Sequence, residues 1–585
     1  MASLSDEEIR NLARKYALLN AISHGGRADP GSVMGRVLAE YQDLRRDARR
    51  VRSIVSEKVD EVNSIAGQDE QSHVLSREFP NALEQDTARK KQVSRIDAEK
   101  SPSLPDLPGA LEGSVITRFP PEPNGFMHIG HAKAALIGFE YAKKYSGRFI
   151  VRFDDTNPAA ESREYYEAFL DSLAWLEIRP DFVKNASDDM ERFYELAAKM
   201  MSSERAYVCT CSQERMKENR QLMKACEHRS QTPEQNLSLW RMMLDGRLEK
   251  NSATLRFAGD MQSLNTTMRD PVLFRIVEER HPLKDKKYRV WPTYDFDGPV
   301  EDSLDGVTHA MRSKEYELRD EIYDAILKSL NLRIPRIIEF SRLSLQNTTV
   351  SKRSLRKLIE SGEVEGWDDP RLPTISGLRR RGFLPRAIRE FILSMGVSKV
   401  ESEPTWDLLE SINRKLLDPV ARRYFFVSDP VKLVVENAPK LTVNLRNHPE
   451  KDLGQRVVKT DGKFFISGDD AGRLKVGSVV RLIEAYNVRI SCIDKDLIMG
   501  TYEREERLEG TPKIQWVTET EQTKMQVTVT GPLLIDERYN PHSLKVVEGV
   551  AEASVGSLPM GEIIQFVRFG FCRIDQPGRA ILAHK

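Results

Sequence analysis

The sequence predicts an α/β catalytic region, preceded by a helical extension and followed by an all-β end. Two observations carry that reading. From residue 115 the order is an apolar run from Val115 to Phe119, a helix from His128, a second run from Arg148 to Phe153, and a helix near Glu161 to Leu176. Strands alternating with helices predict a parallel sheet. In the last third, short segments rich in β-branched residues (Lys432 to Val435, Val479 to Ile490, Met525 to Thr530, Ile563 to Ile574) are separated by Gly, Pro or charged turns. That pattern predicts antiparallel barrels.

The elements before the catalytic region follow from capping and periodicity. Ser5 and Glu8 stand at capping-box spacing, and Gly25-Gly26 is a stop signal, so the first helix lies between them. Apolar residues at Val37, Tyr41, Leu44, Ala48, Val51, Val55 and Val62 recur near 3.6 and predict a second helical stretch with Arg45, Arg46, Arg49 and Arg50 off the apolar stripe. The arginines read either as a solvated face or as phosphate contacts. Residues 68–111 are polar, with Pro102, Pro105 and Pro108 near the end, and predict a linker.

Composition bounds the function. At 585 residues the chain has room for roughly three to five domains. Lys plus Arg equals Asp plus Glu at 89 each, so any nucleic-acid site must come from local patches, and a DNA-coating protein is disfavoured. The first residues lack an apolar signal core, and no run reaches the roughly 18 apolar residues of a membrane span. Five cysteines are too few for a disulfide scaffold. The expectation is a cytoplasmic protein that neither crosses a membrane nor binds DNA.

Two motifs point to a nucleotide. Residues 114–134 read SVITRFPPEPNGFMHIGHAKA, a strand that breaks into a Pro/Gly turn and re-enters a helix carrying His128 and His131. Backbone N–H groups at a helix start favour a triphosphate, and imidazoles add hydrogen bonds without a large fixed charge. His128-Ile129-Gly130-His131 resembles the HIGH motif of class I aminoacyl-tRNA synthetases, with Gly130 letting adenine approach the backbone. Far downstream, Ser351-Lys352-Arg353-Ser354 resembles the KMSKS loop, in which Lys352 would stabilise charge on the α-phosphate and pyrophosphate. Each short motif alone is equally a surface helix start or a basic loop, but the two in order, more than 200 residues apart, reinforce one another.

The resemblance then broadens. Besides RFPPEPNGFMHIGHAKA, the segments RFDDTNP (152–158), TYDF (293–296) and WDDPRLPTISGLRRRGF (367–383) are similar to the glutamyl/glutaminyl-tRNA synthetase family over about residues 112 to 585. It implies a Rossmann-like class I catalytic domain in two halves (112–204 and 291–348), an acceptor-end-binding insertion (205–290), the SKRS loop with a helical connector (349–428) and β-barrels that read the anticodon (429–585), behind a helical extension (1–67) and a linker (68–111). It further implies ATP contacts from Glu122, Pro123, Asn124, His128, Ile129, Gly130, His131, Ala132, Lys133, Ala134, Ser313, Arg342, Leu343, Val350, Ser351 and Lys352. His128, His131 and Lys352 would be catalytic. Asp154 and Tyr294 would meet the amino acid, with Arg118 pairing a carboxylate; the neighbouring Asp155 would instead cap the following helix.

Arg312 separates glutamate from glutamine. The matching place in glutaminyl enzymes is typically small and uncharged, whereas a guanidinium offers a carboxylate two charge-assisted hydrogen bonds. The competing reading is an ion pair with Glu315 or Glu317. With glutamate as substrate, its α-carboxylate attacks the α-phosphate of ATP, and the tRNA terminal ribose then takes the acyl group. Orientation and charge stabilisation carry the rate, and magnesium comes with the triphosphate without a ligand that the sequence names.

Cys209, Cys211, Cys226 and His228 supply four N/S ligands, enough to close a structural zinc site; reduced cysteines in a small core are the alternative. Cys492 and Cys572 read as packing residues. The Arg379-Arg380-Arg381 run reads as phosphate-contacting within the connector. The β-rich end, Arg312 and the helical extension together resemble the archaeal glutamyl type, whose partners are L-glutamate, ATP and tRNA-Glu, with tRNA-Gln a second candidate. A glutaminyl enzyme, a tRNA-modifying transferase of the superfamily and a non-catalytic tRNA-binding protein of the same fold stand as alternatives.

Overall fold

In the computed structural model, the residues described are 5–23, 26–41, 44, 47–65, 67–82, 104–343, 345–349, 351–401, 403–494 and 497–585. The chain forms two compact units, Met1–Ser103 and Leu104–Lys585.

The first unit packs helices Asp6–Ser23, Pro30–Glu40, Ala48–Asn63 and Gly67–Glu78 around one apolar core. The Ser5–Glu8 box closes the first helix start: Ser5 N donates to Glu8 Oε2 at 2.8 Å and Glu8 N to Ser5 Oγ at 3.4 Å. The 3.6-residue stripe is real, since Val37, Leu44, Val51, Val55 and Val62 are all buried, but it is not one helix. The first of its two helices ends at Glu40 and the second starts at Ala48, and Tyr41, the C-cap between them, turns out to solvent. Arg45 and Arg46 lie outside the described residues. Arg50 pairs with Asp6. The linker expected from residue 68 is corrected as well. Gly67–Glu78 is a helix that buries only Gln71 and Leu75, a stripe too narrow to stand out in a polar sequence. Gln71 Nε2 donates to Gly26 O and Val62 O, at 2.8 and 3.3 Å, which satisfies the donor side of a buried amide.

The second unit opens with parallel strands Ile116–Phe119, Arg148–Phe153 and Phe182–Asn185. A second parallel pair, His309–Ser313 and Arg336–Phe340, lies beside the first strand. Ile116 N donates to Thr308 Oγ1 at 2.8 Å, and Thr308 N to Ile116 O at 2.9 Å. Across the sheet the chain order is therefore third, second, first, fourth, fifth. The direction of winding reverses between the first and fourth strands, and in such sheets a crevice opens at that point. Between the halves lies a four-stranded antiparallel sheet, Ala206–Cys209, Thr254–Phe257, Val272–Ile276 and Val290–Pro292.

Helices Lys352–Glu360, Ile375–Arg381, Pro385–Met395 and Trp406–Leu417 follow. The end of the chain is β-rich, as expected, in two seven-stranded sheets with separate cores. They are mixed rather than antiparallel: Val431–Glu436 pairs parallel with Leu497–Arg504, and Gln522–Thr530 parallel with Arg579–His584. Short β-branched runs look alike in either direction, so only the connections decide it. Cys572 is a core residue, whereas Cys492 is exposed.

The Arg379-Arg380-Arg381 run is also corrected. Arg380 makes a two-pronged pair with Asp575 at 3.2 and 3.0 Å, and Arg381 is buried against Glu410, Ala583 O and the Trp406 ring. They join the connector to the C-terminal sheets, and Arg379, paired with Asp171, is the one of the three that stays half-exposed.

Candidate active site

The crevice holds a cavity of about 470 Å³ where the strand order reverses. Its floor comes from Arg118 and Phe119 on one side of the switch and Met311, Arg312 and Ser313 on the other. At one end, His128 caps helix Ile129–Lys144. His128 Nδ1 accepts from Gly130 N and His131 N, at 3.1 and 3.4 Å, and His131 Nδ1 accepts from His128 N at 3.3 Å. Ile129 N donates to Pro373 O at 2.9 Å. The first N–H groups of this helix are therefore already held, which corrects the expectation of open donors. The same bonds fix both neutral rings as Nε2–H tautomers, because each Nδ1 serves as an acceptor. The rings stack 3.7 Å apart and line the cavity. A Cβ at Gly130 would come within 3.0 Å of the His128 ring and 3.5 Å of Leu343 O, so a side chain there would close the gap between the motif and the second half of the domain.

Other expected ATP residues divide. Glu122, Ala134, Ser313, Arg342 and Leu343 line the same cavity. Glu122 Oε1 accepts from Asn157 Nδ2 at 3.0 Å; Arg342 Nη1 donates to Glu315 Oε1 at 2.8 Å; Ser313 Oγ is buried without a hydrogen-bond partner among the described residues. Ile129 and Ala132 point into the core. Lys133 is corrected: it is buried, and its Nζ donates to Ser341 O and Oγ at 2.7 and 3.1 Å. Burial without a carboxylate pushes its pKa down to about 8, and it ties the helix to the residue before Arg342 instead of facing the cavity. Pro123 is buried, and Asn124 lines a neighbouring basic cleft with Arg353, Arg356 and Lys357. Ser351 is the N-cap of helix Lys352–Glu360, its N donating to Thr349 Oγ1 at 3.1 Å. Val350 and the Lys352 side chain lie outside the described residues.

The other end is charged and buried. Arg118 donates through Nε and Nη2 to Asp302, both at 2.9 Å, and through Nη1 to Met311 O at 2.7 Å. Asp302 also accepts from Arg152 Nη1 at 2.8 Å and from the Tyr323 hydroxyl at 2.9 Å. Arg152 Nε in turn holds Asp154 Oδ1 at 2.7 Å. Asp154 Oδ2 has no hydrogen-bond partner among the described residues although it is buried, and burial raises its pKa against the pull of Arg152. An orphaned buried carboxylate oxygen lining a cavity suits a cationic ligand group. Asp155 does not cap the helix that follows it. It accepts from Ser187 N and Oγ and from the Tyr166 hydroxyl, each at 2.8 Å, and so starts the turn Ala186–Asp189.

Arg312 is 4% exposed, and its guanidinium lies 6.0, 5.7 and 5.0 Å from the ring centres of Tyr294, Tyr316 and Tyr323. Neither Glu315 nor Glu317 takes it: they pair with Arg342 and Lys399, and Arg312 pairs with Asp320. Its Nε is buried without a partner among the described residues. The cavity thus has an anionic corner at Asp154, cationic groups at Arg118 and Arg312, and an imidazole end, an arrangement that fits a zwitterion with an extra carboxylate next to a polyphosphate.

Several lining residues escaped sequence reasoning. Asp297, pushed up to about 8 by burial and the neighbouring Asp154, accepts from Thr156 Oγ1 at 2.5 Å. It stands one helical turn after Tyr294, and that spacing was a usable signal. Tyr316 and Arg275, which also line the cavity, carried none, nor did Asp302 behind them.

In the insertion, the ligand atoms of Cys209, Cys211, Cys226 and His228 all lie within 4.8 Å of one another. Cys209 Sγ is 3.8 Å from Cys226 Sγ, and Cys211 Sγ is 3.5 Å from His228 Nδ1. A tetrahedral zinc with Zn–S near 2.3 Å and Zn–N near 2.0 Å sets those edges at about 3.8 and 3.5 Å. His228 Nε2 bonds Thr210 Oγ1 at 2.8 Å, leaving Nδ1 for a metal, and Arg256 Nη1 stands 3.8 Å from Cys209 Sγ as a countercharge. The four residues fit the ion.

Comparison with known proteins gives three adjoining matches. The family described as tRNA synthetases class I (E and Q), catalytic domain, matches residues 114–419, and two anticodon-binding families of the same class match 421–503 and 513–575. A glutamate–tRNA ligase of Nitrosopumilus maritimus is 44% identical over 580 residues, 99% of this chain and 100% of its own. Proteins of the same name from Cenarchaeum symbiosum and Pyrococcus abyssi are 43% and 39% identical, again over 99% of this chain and 100% of theirs.

Proposed function

The chain belongs to the class I tRNA synthetases of the E and Q type, and from that premise we propose that its cavity joins L-glutamate to ATP and passes the glutamyl group to the 3′ end of tRNA-Glu. It is a glutamate–tRNA ligase of the archaeal kind. The observation that carries the assignment of roles is the pair of buried atoms, Asp154 Oδ2 and Arg312 Nε, without partners among the described residues and on residues lining one cavity. Asp154 accepts the α-ammonium, and Arg312 meets the side-chain carboxylate that glutamine lacks.

The reaction needs no protein nucleophile. Glutamate's α-carboxylate attacks the α-phosphate, pyrophosphate leaves, and the ribose hydroxyl of the tRNA end displaces AMP. His128 and His131 donate Nε2–H to phosphate oxygens, and the cations Arg342 and Lys352 meet charge as it builds on the leaving pyrophosphate. Ser313, with its buried hydroxyl, hydrogen-bonds the nucleotide. Magnesium enters with the triphosphate; among the described residues no cluster of carboxylates gathers as a site for it. Zinc held by Cys209, Cys211, Cys226 and His228 supplies a fixed fold to the insertion that meets the acceptor end, away from the reacting atoms. Such a synthetase works in the cytoplasm.

ATP–pyrophosphate exchange with glutamate or glutamine, with and without tRNA, tests the reading. Exchange that needs glutamate and is stimulated by tRNA is expected. Exchange specific for glutamine overturns the role given to Arg312, and none with either amino acid overturns the reaction.

A further inference from the structure

A buried arginine that reads a substrate carboxylate has two problems before the substrate arrives: its charge is uncompensated, and its planar head can swing. Arg312 has an answer to both that the reaction does not use. Asp320, at the start of helix Asp320–Leu330, pairs with Arg312 Nη1 from outside the residues that line the cavity. The other acids near that face are committed elsewhere: Glu315 to Arg342, Glu317 and Glu339 to Lys399, and Asp324 to Lys328. Three tyrosine rings close on the guanidinium, and the Tyr323 hydroxyl is itself fixed by Asp302 at 2.9 Å. With Nη1 engaged by Asp320 and the Tyr294 side chain also hydrogen-bonded to the guanidinium, the nitrogen without a partner among the described residues is Nε.

We propose that Asp320 is the positioning residue for substrate choice: by holding Arg312 Nη1 it turns the Nε edge of the guanidinium toward the side chain of the amino acid, and so sets the preference for glutamate over glutamine. This rests on the role given to Arg312 above. Asp320 touches no substrate and acts only through Arg312. An amide at position 320 keeps an oxygen acceptor for Nη1 and so keeps the orientation, whereas a methyl group keeps nothing.

The test is tRNA-stimulated pyrophosphate exchange by the full chain, with L-glutamate, L-glutamine and ATP each varied, for Asp320→Ala, Asp320→Asn and Arg312→Ala. Asp320 is partly exposed, with 28% of its side-chain surface open, and Asn is isosteric, so folding is not the obstacle it is for the buried acids. We expect Asp320→Ala to raise the KM for glutamate by about tenfold or more, the scale of a lost charged hydrogen bond, and to lower the glutamate-to-glutamine ratio of kcat/KM, with the KM for ATP unmoved. Asp320→Asn should restore the glutamate KM to within about threefold of the parent. The proposal is overturned if Asp320→Ala leaves the glutamate KM unchanged while Arg312→Ala raises it, if ATP and glutamate KM rise together, or if Asn fails to restore what Ala loses. Should Arg312→Ala itself leave the glutamate KM unchanged, the role of Arg312 falls, and this proposal with it.

Discussion

Asp302 is the residue on which both arms of the amino-acid site hang, since it receives two hydrogen bonds from Arg118 and a third from Arg152, the holder of Asp154. Burial alone would raise its pKa, but the two guanidinium groups outweigh burial and hold it down to about 2, below the ordinary 3.8. The unfolded chain therefore takes up that proton first as pH falls. The contribution to stability, about 2 kcal/mol, is full above pH 4 and is lost between there and about pH 2. Denaturant titrations across that window should show the loss, and in Asp302→Asn the slope should flatten while stability at neutral pH drops by about 3 kcal/mol or more, because buried Arg118 loses its carboxylate partner and buried Arg152 one of three. Lys352 has its proposed role in the chemistry instead. Lys352→Ala should lower exchange by about a hundredfold or more and leave thermal unfolding in place; exchange at the parental rate would remove its catalytic role. The two residues differ in legibility. Lys352 could be found because its motif is local, whereas Asp302 meets Arg118 across 184 positions, a pairing that exists only once the sheet is closed.

Elements were legible where one physical pattern dominated. The capping box at Ser5 and the strand–turn–helix at residues 116–144 were found because capping and period act over a few residues. The helix Gly67–Glu78 was missed, since two buried side chains leave almost no stripe, and the direction of the C-terminal strands was missed because it depends on partners far along the chain. Two elements carry predictions. With zinc at the Cys209–His228 cluster, as proposed, the fold of the insertion should depend on that metal. Purified protein should contain about one zinc per chain, and a chelator, or Cys209→Ser with Cys226→Ser, should expose residues 205–290 to protease and abolish tRNA charging. Protein that is metal-free and equally resistant would remove the ion from the account. Helix Lys352–Glu360 buries Leu355 and Leu358 against Leu372 and Leu533, and Leu534 N donates to Asn347 O at 3.2 Å, so a β-hairpin from the C-terminal sheets supports the SKRS segment. Leu355→Ala should cost about 2–4 kcal/mol locally and raise the KM for ATP more than that for glutamate, readable in exchange kinetics.

For the whole molecule, the alternation of strands and helices disclosed the α/β region and the paired motifs disclosed its chemistry, while the division of the chain at residue 103 was hidden by a helix of linker-like composition. Every residue placed at the cavity lies in Leu104–Lys585, so that portion made alone should retain glutamate-dependent exchange within about tenfold of the full chain. Loss of exchange with an intact thermal transition would assign the first unit a part in activation. The order of manufacture is also constrained. At about 5–20 residues per second, a ribosome needs roughly ten to forty seconds to travel from Arg118 to Asp302. Throughout that interval the first two strands wait: Arg118 has no acid to meet, and Arg152, once made, has only Asp154. Those strands cannot settle into their final sheet early, and the waiting segment is where a chaperone has the longest opportunity to act on this protein.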